Sequence, residues 1–386
     1  MKILHITAMS GGGAGVACIR QHTAMMESGM QSKVLVLLGR GNPEKEIYSV
    51  EATDPSFAKT MRQYKRQRAL LNVKVRLNGK TPELFSAATS VWKIEEQALV
   101  KEADVIHLHW VAGMIDLQRF FNAVKKPIVW TLHDAWPYSG GFHYERYWES
   151  ARFAKLSSEG IGLRKQLFSK RKIQVVSPSE YLLQECKNSG VFAAADFHHI
   201  RYCIDSFFKR NTEEEVQASN TKRWLFCADE LDYKRKGAGL LFEAFAKWKN
   251  PDVQLFVAGK PGKLKVPADS RIQLIGHQPQ QELMTLMCET DGVIHPSLED
   301  NQPNVIMEAQ CAGNPVLATP AGGVPEMIEH GKNGVLTKDF TVESLVNGFD
   351  ELYAMQYNPH AISATAGQLY TPKKFTEKIS VVYANC

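Results

Sequence analysis

Short apolar segments alternate with helical patterns along nearly the whole chain, and no other feature constrains the fold as strongly. Near-continuous apolar strands that alternate with helices indicate a parallel sheet covered on both faces. A first series of predicted strands covers residues 2–7, 33–38, 104–108, 127–132, 173–176 and 197–201. A second series covers residues 224–228, 253–258, 272–275, 292–295, 316–318 and 334–336. The sequence therefore predicts an α/β protein with two doubly wound parallel sheets.

A polar, acidic segment separates the two series of strands. We predict a Rossmann-like N-terminal domain at residues 1–205, a linker at 206–221 and a second Rossmann-like domain at 222–370. Residues 371–386 carry apolar side chains at helical spacing, which predicts a helix that returns to the first domain. Two such domains joined by one linker are expected to face a common cleft.

Composition and charge argue against several classes of protein. The net charge of +5 over 386 residues is too small to indicate a protein that binds nucleic acid. No run of about 18 apolar residues occurs, so no membrane-spanning helix is predicted, and residues 1–7 are typical of a strand rather than a signal peptide. The seven cysteines form no C-x-x-C pair. This predicts reduced thiols in a cytoplasmic protein, without disulfides or a zinc site.

Basic residues concentrate in two segments of the chain. Residues 57–80 contain eight lysines and arginines and no acid, and residues 164–172 contain five more among apolar side chains. A cation next to an anionic membrane contributes about 1 kcal/mol to binding. The two segments therefore suggest peripheral contact with the inner face of the cell membrane. A solvated basic face is the alternative interpretation.

A glycine-rich loop, Gly11-Gly12-Gly13, follows the first predicted strand and opens the first predicted helix. Glycines at this point let the backbone approach a phosphate group at the helix N-terminus. The spacing differs from the G-x-G-x-x-G pattern of dinucleotide-binding proteins, and Arg40 rather than an acid follows the second strand. Both differences argue against an NAD-dependent dehydrogenase.

The segment that follows the predicted strand at 292–295 contains two acids around a helix start. Pro303 suits the first position of a helix, where no backbone N–H is needed. Asn304 and Glu308 are four residues apart and therefore share one face of that helix. Asp300 lies just before the helix, near the positive end of its macrodipole. Ligands of open α/β sheets bind at the carboxyl ends of such strands, although an acidic N-cap with a solvated glutamate is the alternative.

Cations follow the first strand of the second series, in the turn Lys234-Arg235-Lys236-Gly237. Arginine makes fork-like contacts with phosphate and lysine supplies a point charge. We therefore predict that this turn neutralises a diphosphate group. The alternative is a solvated basic turn.

Two loops of the first series carry side chains suited to polyols. His133, Asp134 and Trp136 follow one predicted strand, and His109 follows another. Imidazole and carboxylate groups hydrogen-bond hydroxyls, while an aromatic face stacks on sugar C–H groups. His107 alternates inward along its strand and is predicted to be structural. A core histidine beside a buried tryptophan is the alternative for the first loop.

Taken together, these motifs resemble those of the family 4 retaining glycosyltransferases, which have the two-domain GT-B fold. The matching segments are the glycine loop, Leu132-His133-Asp134, Arg235-Lys236-Gly237, and the long stretch 295–326. The sequences of residues 130–137 and 304–309 are similar to those of the branches that build bacterial capsular, exopolysaccharide and colanic-acid-like chains. The resemblance covers almost the whole chain.

The resemblance implies that the C-terminal domain holds a nucleotide sugar and that the N-terminal domain presents the acceptor. The residues implied to be catalytic are His133, Arg235, Lys236 and Asp300. The residues implied to bind the donor are Gly12, Gly13, Gly276, His277, Asn301, Gln302, Asn304 and Glu308. The residues implied to bind the acceptor are His109, Asp134 and Trp136, and no metal ligands are implied.

Individual roles follow from the same resemblance. Glu308 would hold the ribose hydroxyls and Asp300 the hydroxyls of the donor sugar. Lys236 and Arg235 would hold the diphosphate together with the Gly13 amide. His133 would contact the sugar near C6, and the base would lie against the backbone near Gly276 and His277.

The chain departs from the family pattern at three positions. The first glutamate of the family's E-x7-E pair is replaced here by Asp300, whose side chain is one methylene shorter. Pro303 stands where many members have glycine, so one amide donor is missing, for which Asn301 or Asn304 would compensate. Glu230 stands near the position of a common arginine, which leaves more of the phosphate neutralisation to the turn at 234–237.

The implied activity is metal-independent glycosyl transfer with retention of anomeric configuration, from a UDP- or GDP-linked sugar to a glycan acceptor in surface polysaccharide synthesis. No cofactor is expected, and no D-x-D motif of a metal-dependent transferase occurs. The basic segments suggest a lipid-linked acceptor. The alternatives are a nucleotide-sugar epimerase or a phosphorylase of the same fold, and a non-catalytic sugar- or nucleotide-binding protein.

Overall fold

The computed structural model describes residues 1–77, 84–144, 153–205 and 221–386. Backbone contacts divide the chain into two compact units. Unit 1 comprises Met1–Cys203 together with Pro372–Cys386, and unit 2 comprises Ile204–Thr371. The predicted linker at 206–221 lies outside the described residues except for Thr221, as does Lys80 of the first basic segment.

Unit 1 contains a seven-stranded sheet in the order β3-β2-β1-β4-β5-β6-β7. The strands are β1 Lys2–Met9, β2 Gln31–Leu38, β3 Ile47–Ser49, β4 Val105–Leu108, β5 Ile128–Thr131, β6 Ile173–Ser177 and β7 Asp196–His199. All neighbouring pairs of strands are parallel. The helices are α1 Gly12–Glu27, α2 Val50–Thr53, α3 Phe57–Leu77, α4 Ala98–Glu102, α5 Leu117–Ala123, α6 Ala154–Phe168 and α7 Glu180–Asn188.

Unit 2 contains a six-stranded parallel sheet in the order β10-β9-β8-β11-β12-β13. The strands are β8 Lys222–Glu230, β9 Val253–Lys260, β10 Ile272–Gly276, β11 Gly292–His295, β12 Val316–Ala318 and β13 Gly334–Leu336. The helices are α8 Ala238–Lys247, α9 Gln280–Cys288, α10 Asn304–Cys311, α11 Val342–Ala354 and α12 Pro359–Leu369, and α13 Pro372–Ala384 returns to unit 1. The prediction of two parallel-sheet α/β domains is confirmed.

Two details of the elements differ from the sequence prediction. The edge strand β3 was not predicted, because three residues are too short to show a period and only pairing of Val34–Val36 with Ile47–Ser49 defines the strand. Helix α10 begins at Asn304 rather than Pro303. The ψ angle of Pro303 is 126°, so this residue is still extended and forms the N-cap of the helix.

Apolar residues bury both faces of each sheet. In unit 1 the largest cluster includes Trp92, Trp130 and Phe168, whereas Phe375, Ile379 and Val382 of α13 pack on the other face of the same sheet. In unit 2 a cluster around Trp224, Phe245 and Phe349 packs α8 and α11 against the sheet. Among the described residues, no helix combines the length and the apolar character needed to cross a bilayer.

The strand order places one switch point in each sheet. In unit 1 the chain direction across the sheet reverses between β1 and β4, and in unit 2 it reverses between β8 and β11. Loops after these strands diverge and leave a crevice at their carboxyl ends, where ligands of open α/β sheets bind. The glycine loop follows β1, whereas the cationic turn follows β8 and Asp300 follows β11.

Candidate active site

The cationic turn of unit 2 is fixed against the loop that follows β11. Lys234–Lys236 forms a single 3-10 turn that ends at Gly237, whose φ angle is 74°. A Cβ atom at Gly237 would lie 1.8 Å from the carbonyl oxygen of Pro296, so only glycine allows this approach. The backbone N–H of Leu298 donates to the carbonyl of Arg235 at 2.7 Å. The cations of the turn are therefore held beside the segment that contains Asp300.

Asp300 is the centre of a cluster of charged and polar side chains. Its Oδ2 atom lies 2.6 Å from Lys236 Nζ and 3.9 Å from Arg235 Nη1. His295 Nε2 lies 3.4 Å from the same oxygen, and Ser297 Oγ donates to it at 3.4 Å. The side chains of Lys236 and Asp300 are 22% and 15% exposed, so the pair lies at the edge of the interior rather than on an open surface.

The pKa values of the cluster follow from burial and charge. Burial would raise the pKa of Asp300, but Lys236, His295 and Arg235 outweigh that effect and hold it well below its usual range. Burial lowers the pKa of Lys236, and the Asp300 carboxylate opposes that decrease. Burial also lowers the pKa of His295. The cluster thus pairs the Asp300 carboxylate with the basic side chains of Lys236 and Arg235.

Helix α10 carries a nearly buried carboxylate. Glu308 is 5% exposed. Burial raises the pKa of the Cys227 thiol in β8, and the nearby carboxylates of Glu308 and Asp229 add to the increase. Glu308 therefore lies close to the carboxyl end of β8, the strand that leads to the cationic turn.

The remaining donor-binding candidates of unit 2 fall into two groups. Asn301 and Gln302 lie in the loop before α10, and the Gln302 amide contacts Met307 Sδ at 3.0 Å, inside the protein. Asn304 is the first residue of α10. Gly276 ends the edge strand β10 and His277 follows it, and β9 and β8 separate this strand from β11. The structure thus gathers Arg235, Lys236 and Asp300. Glu308 lies near Cys227 of β8, and Gly276 and His277 lie further along the same sheet edge.

The glycine loop of unit 1 opens a sixteen-residue helix. Gly11 is the N-cap residue and Gly12 has a φ angle of 69°. No atom lies within 4 Å of the position that a Cβ atom would take at Gly11 or Gly12. Gly11 and Gly12 at the start of α1 therefore border open space among the described residues, as an anion site at a helix N-terminus requires.

Polar side chains of the loop after β5 form hydrogen bonds with other groups of the protein. His143 Nδ1 lies 2.6 Å from Asp134 Oδ2, and Trp110 Nε1–H donates to the same oxygen at 2.8 Å. Burial would raise the pKa of Asp134, but His143 and these donors lower it instead. Trp136 is 2% exposed and donates its indole N–H to the Ser86 carbonyl. Asp134 and Trp136 therefore support the loop; Trp136 is buried, whereas Asp134 is partly exposed.

His133 and His109 differ from each other in exposure. His133 is half-buried, whereas His109 is 2% exposed. The two rings are hydrogen-bonded, with His109 Nδ1 3.0 Å from His133 Nε2. Burial lowers the pKa of His133 to about 4, so its ring is neutral near pH 7. His109 is thus a neighbour of His133 in the interior rather than a surface group for an acceptor.

Two functional candidates were missed by the sequence interpretation. His295 and Ser297 both contact Asp300, yet neither was assigned a role. His295 is the last residue of β11, and its position at the carboxyl end of a switch-point strand is a signal that could have identified it. Ser297 carries no such signal, because its role depends on the return of the chain to Arg235, whose carbonyl it also contacts at 2.9 Å.

Comparison with known proteins finds a family model that matches the second half of the chain. Residues 209–368 match the family model described as glycosyl transferases group 1. The chain is 32% identical over 80 residues to the amylovoran biosynthesis glycosyltransferase AmsK of Erwinia amylovora, covering 19% of this chain and 20% of that protein. It is 30% identical over 117 residues to the D-inositol 3-phosphate glycosyltransferase of Corynebacterium efficiens, covering 26% and 28%. The matches thus span less than a third of those relatives' length.

Solved structures share the fold over the whole chain. HepE of Anabaena, determined in complex with UDP-glucose, aligns with a TM-score of 0.68 and 16% identity over 100% of both chains. The sucrose-phosphate synthase of Thermosynechococcus elongatus aligns with a TM-score of 0.69 and 13% identity over 100% of this chain and 99% of that one. The chain therefore has the GT-B fold, and its residues 209–368 are similar to the glycosyl transferases group 1 family.

Proposed function

We propose that the protein is a retaining, metal-independent glycosyltransferase that moves a sugar from a nucleotide-diphosphate sugar to a glycan acceptor. The observation that carries the proposal is the cluster in which Lys236 and Arg235 meet Asp300. Lys236 and Arg235 neutralise the diphosphate, while Asp300 orients the cations and accepts hydrogen bonds from the sugar hydroxyls.

The chemistry of the cluster suits a diphosphate leaving group. As the bond between the anomeric carbon and the phosphate oxygen breaks, the sugar becomes oxocarbenium-like and negative charge grows on the diphosphate. Cations that are already in place stabilise this charge without reorganisation. The acceptor hydroxyl then enters from the same face, and its proton passes to a phosphate oxygen. The anomeric configuration is retained because the acceptor hydroxyl enters on the face from which the diphosphate leaves.

Glu308 is proposed to bind the ribose of the donor nucleotide. We expect Glu308→Gln to raise the Kd for the nucleotide about 10- to 100-fold, because a hydrogen bond to a charged group contributes about 1.5–3 kcal/mol. The substitution keeps the shape of the buried side chain, so the fold should be retained. Isothermal titration calorimetry with UDP or GDP measures the change.

The matched control for this prediction is Glu243→Gln. Glu243 lies on α8 in the same unit and is exposed, with Lys247 as its ion-pair partner. Its replacement should leave the Kd unchanged. A Glu308→Gln protein that binds nucleotide within a factor of two of the original chain would contradict the ribose assignment.

The identity of the donor is proposed to be a UDP- or GDP-linked hexose, used in surface polysaccharide synthesis. Support comes from HepE, determined with UDP-glucose, and from AmsK, named for amylovoran biosynthesis. A thermal-shift screen of UDP-, GDP- and ADP-sugars identifies the nucleotide. Product analysis by NMR, with and without acceptor and phosphate, then separates transfer from epimerisation, phosphorolysis and binding without turnover.

A membrane surface is proposed as the partner of α3, in a cytoplasmic protein that binds the inner face of the membrane. One face of α3 packs inward, where Phe57 stacks on Trp92 and Val75 is buried. The outward face carries Lys59, Arg62 and Arg66 on its first half. Exposed apolar side chains follow on the second half of the same face, namely Leu70 at 67%, Val73 at 57% and Leu77 at 82% exposure. Cations for lipid headgroups and apolar groups for the acyl boundary are typical of interfacial helices.

Charge reversal on α3 tests this partner. We expect the double variant Arg62→Glu/Arg66→Glu to bind vesicles of phosphatidylcholine and phosphatidylglycerol at least about 30-fold more weakly, at about 1 kcal/mol lost per cation before any added repulsion. Co-sedimentation measures the binding. The control is Lys93→Glu/Lys125→Glu, which reverses two exposed charges of the same unit outside α3. Equal binding of both double variants would contradict the proposal, as would strong binding to pure phosphatidylcholine.

A further inference from the structure

A buried group of histidines lies at the carboxyl ends of three neighbouring strands of unit 1. His5 is in β1, His107 is in β4 directly beside it in register, and His109 and His133 follow β4 and β5. His5, His107 and His109 are at most 2% exposed. Four imidazole rings at one sheet edge are not needed to build a core, so their arrangement calls for a physical explanation.

Three of the rings form a continuous chain of hydrogen bonds that starts at Tyr202. The Tyr202 hydroxyl lies 2.6 Å from His133 Nδ1. His133 Nε2 lies 3.0 Å from His109 Nδ1, and His109 Nε2 lies 2.8 Å from His5 Nδ1. At the far end, His5 Nε2 is buried and has no hydrogen-bond partner among the described residues. Every other ring nitrogen of the chain is occupied.

This series of hydrogen bonds permits only two arrangements of the ring protons. A neutral imidazole has one N–H donor and one acceptor nitrogen, so each ring must donate in the same direction along the chain. One direction leaves an N–H of His5 buried without an acceptor, and the other leaves only a lone pair without a donor. Orphaned buried N–H groups are rarer than acceptors without a full set of donors. The second direction is therefore favoured, with all three rings protonated on Nδ1.

The charge state of the rings agrees with this assignment. Burial lowers the pKa of His5 and of His109 well below the usual range for histidine, and neighbouring histidines lower both further. Burial likewise lowers the pKa of His133 to about 4. An added proton would place a charge inside a row of tilted, buried imidazole rings that contains no carboxylate. The neutral forms that the hydrogen-bond pattern requires are thus the forms that the surroundings favour.

We propose that His5 and His109 are positioning residues for His133, which hold its ring neutral, with Nδ1–H directed to Tyr202 and Nε2 accepting from His109. This inference rests on the proposed transferase function, because His133 is the half-exposed member at the sheet edge. Since both of its nitrogens are bound within the protein, His133 presents a fixed, uncharged ring edge to a sugar. It does not act as an acid or base toward the sugar.

A metal site is the competing explanation for the same rings. The candidate ligand atoms of His5, His107 and His109 all lie within 4.8 Å of one another. However, the rings of His107 and His109 stack at 4.3 Å with 27° between their planes, so their nitrogens do not converge on one point. The nitrogens of His107 are also occupied, by Tyr383 Oη at 2.5 Å and Thr131 Oγ1 at 2.7 Å. A zinc ion needs converging nitrogens about 2.0–2.1 Å away.

The first test measures tautomers in the unaltered chain. Long-range nitrogen–proton NMR on protein with ¹⁵N-labelled histidine reports which ring nitrogen carries the proton. We expect His5, His109 and His133 in the Nδ1–H form at pH 7, without titration down to about pH 5.5. An Nε2–H form or an imidazolium at any of the three overturns the proposal. Elemental analysis that finds one zinc ion per chain overturns it as well.

The second test removes the middle ring. We expect His109→Leu to lower kcat by about three- to tenfold at unchanged KM, as the loss of one hydrogen bond predicts, and to give His133 a mixture of tautomers. His109→Asn, which can return a donor to the position of Nδ1, should restore most of the kcat. The control is His198→Leu, which removes a hydrogen bond to Gln174 in the same sheet. His198 is not part of the hydrogen-bonded series of histidines, so its replacement should change neither kcat nor the tautomer of His133.

The two measurements separate the positioning role from the proposed activity. If no transfer is detected but the Nδ1–H pattern is present, the activity assignment fails while the hydrogen-bond assignment holds. If transfer is normal in His109→Leu and the tautomer of His133 is unchanged, the positioning role is excluded. The tautomer measurement on the unaltered chain decides the hydrogen-bond pattern even if His109→Leu does not fold.

Discussion

Replacing Lys236 by alanine is expected to lower the turnover of sugar transfer about 10²- to 10³-fold. Lys236 supplies the cation closest to Asp300 in the cluster that is proposed to bind the diphosphate. A single preorganised group that stabilises transition-state charge contributes about 3–4 kcal/mol to catalysis. Asp300 keeps Arg235, His295 and Ser297 as neighbours in the variant, so the protein should fold. Steady-state kinetics with the nucleotide sugar found in the thermal-shift screen measures the loss.

The control for Lys236→Ala comes from the same turn. Lys234 carries the same charge two residues earlier and is exposed. Lys234→Ala should therefore reduce turnover by less than a factor of about three, as expected for a solvated charge. Circular dichroism of both variants establishes that they are folded. If Lys236→Ala retains near-original transfer, the electrostatic basis of the proposed function is lost.

Replacing Gly237 by alanine is expected to destabilise the protein by at least about 2 kcal/mol. The left-handed conformation of this residue alone costs an L-amino acid about 1–2 kcal/mol. The added methyl group would also meet the carbonyl oxygen of Pro296 at 1.8 Å, so the turn or the loop must move. Because the same contact holds Arg235 and Lys236 beside Asp300, the variant should also lose donor binding. Denaturant unfolding measures the stability.

Gly239→Ala is the matched control two residues further on. Gly239 lies in α8, and no atom lies within 4 Å of the position that its Cβ atom would take. Alanine there should stabilise the protein by up to about 1 kcal/mol, because glycine weakens a helix interior. Opposite signs for the two substitutions would identify the turn as the sensitive feature. A Gly237→Ala protein as stable as the original would contradict the close approach to Pro296.

Local sequence patterns predicted most of the elements. The strands at Gly292–His295, Val316–Ala318 and Gly334–Leu336 have the predicted bounds, because each is a short, largely buried run bounded by glycine, proline or polar residues. The parallel arrangement also followed, since such runs need cover on both faces. The strand Ile47–Ser49 escaped prediction because its existence depends on pairing with β2 rather than on its own pattern.

The candidate site was only partly predictable. The chemistry of the turn at 234–237 and of Asp300 was visible in the residue types, but their separation of 64 residues conceals the 2.6 Å contact between Lys236 and Asp300. Asp134 and Trp136 are residue types typical of a sugar-binding loop. In the structure, however, their polar groups make hydrogen bonds within the protein. Residue types show which chemical groups are available, and burial decides which of these groups a ligand can reach.

By itself the sequence determined the order of strands and helices, the α/β class and the residue types at the loop ends. These features follow from hydrophobic periodicity, which acts between residues close in the chain. Only the tertiary structure decided that β1 lies beside β4 and β8 beside β11. That choice joins His5 to His109 and Lys236 to Asp300, because strands distant in sequence become neighbours when the sheet buries its faces. The contacts on which the proposals depend are therefore products of strand order.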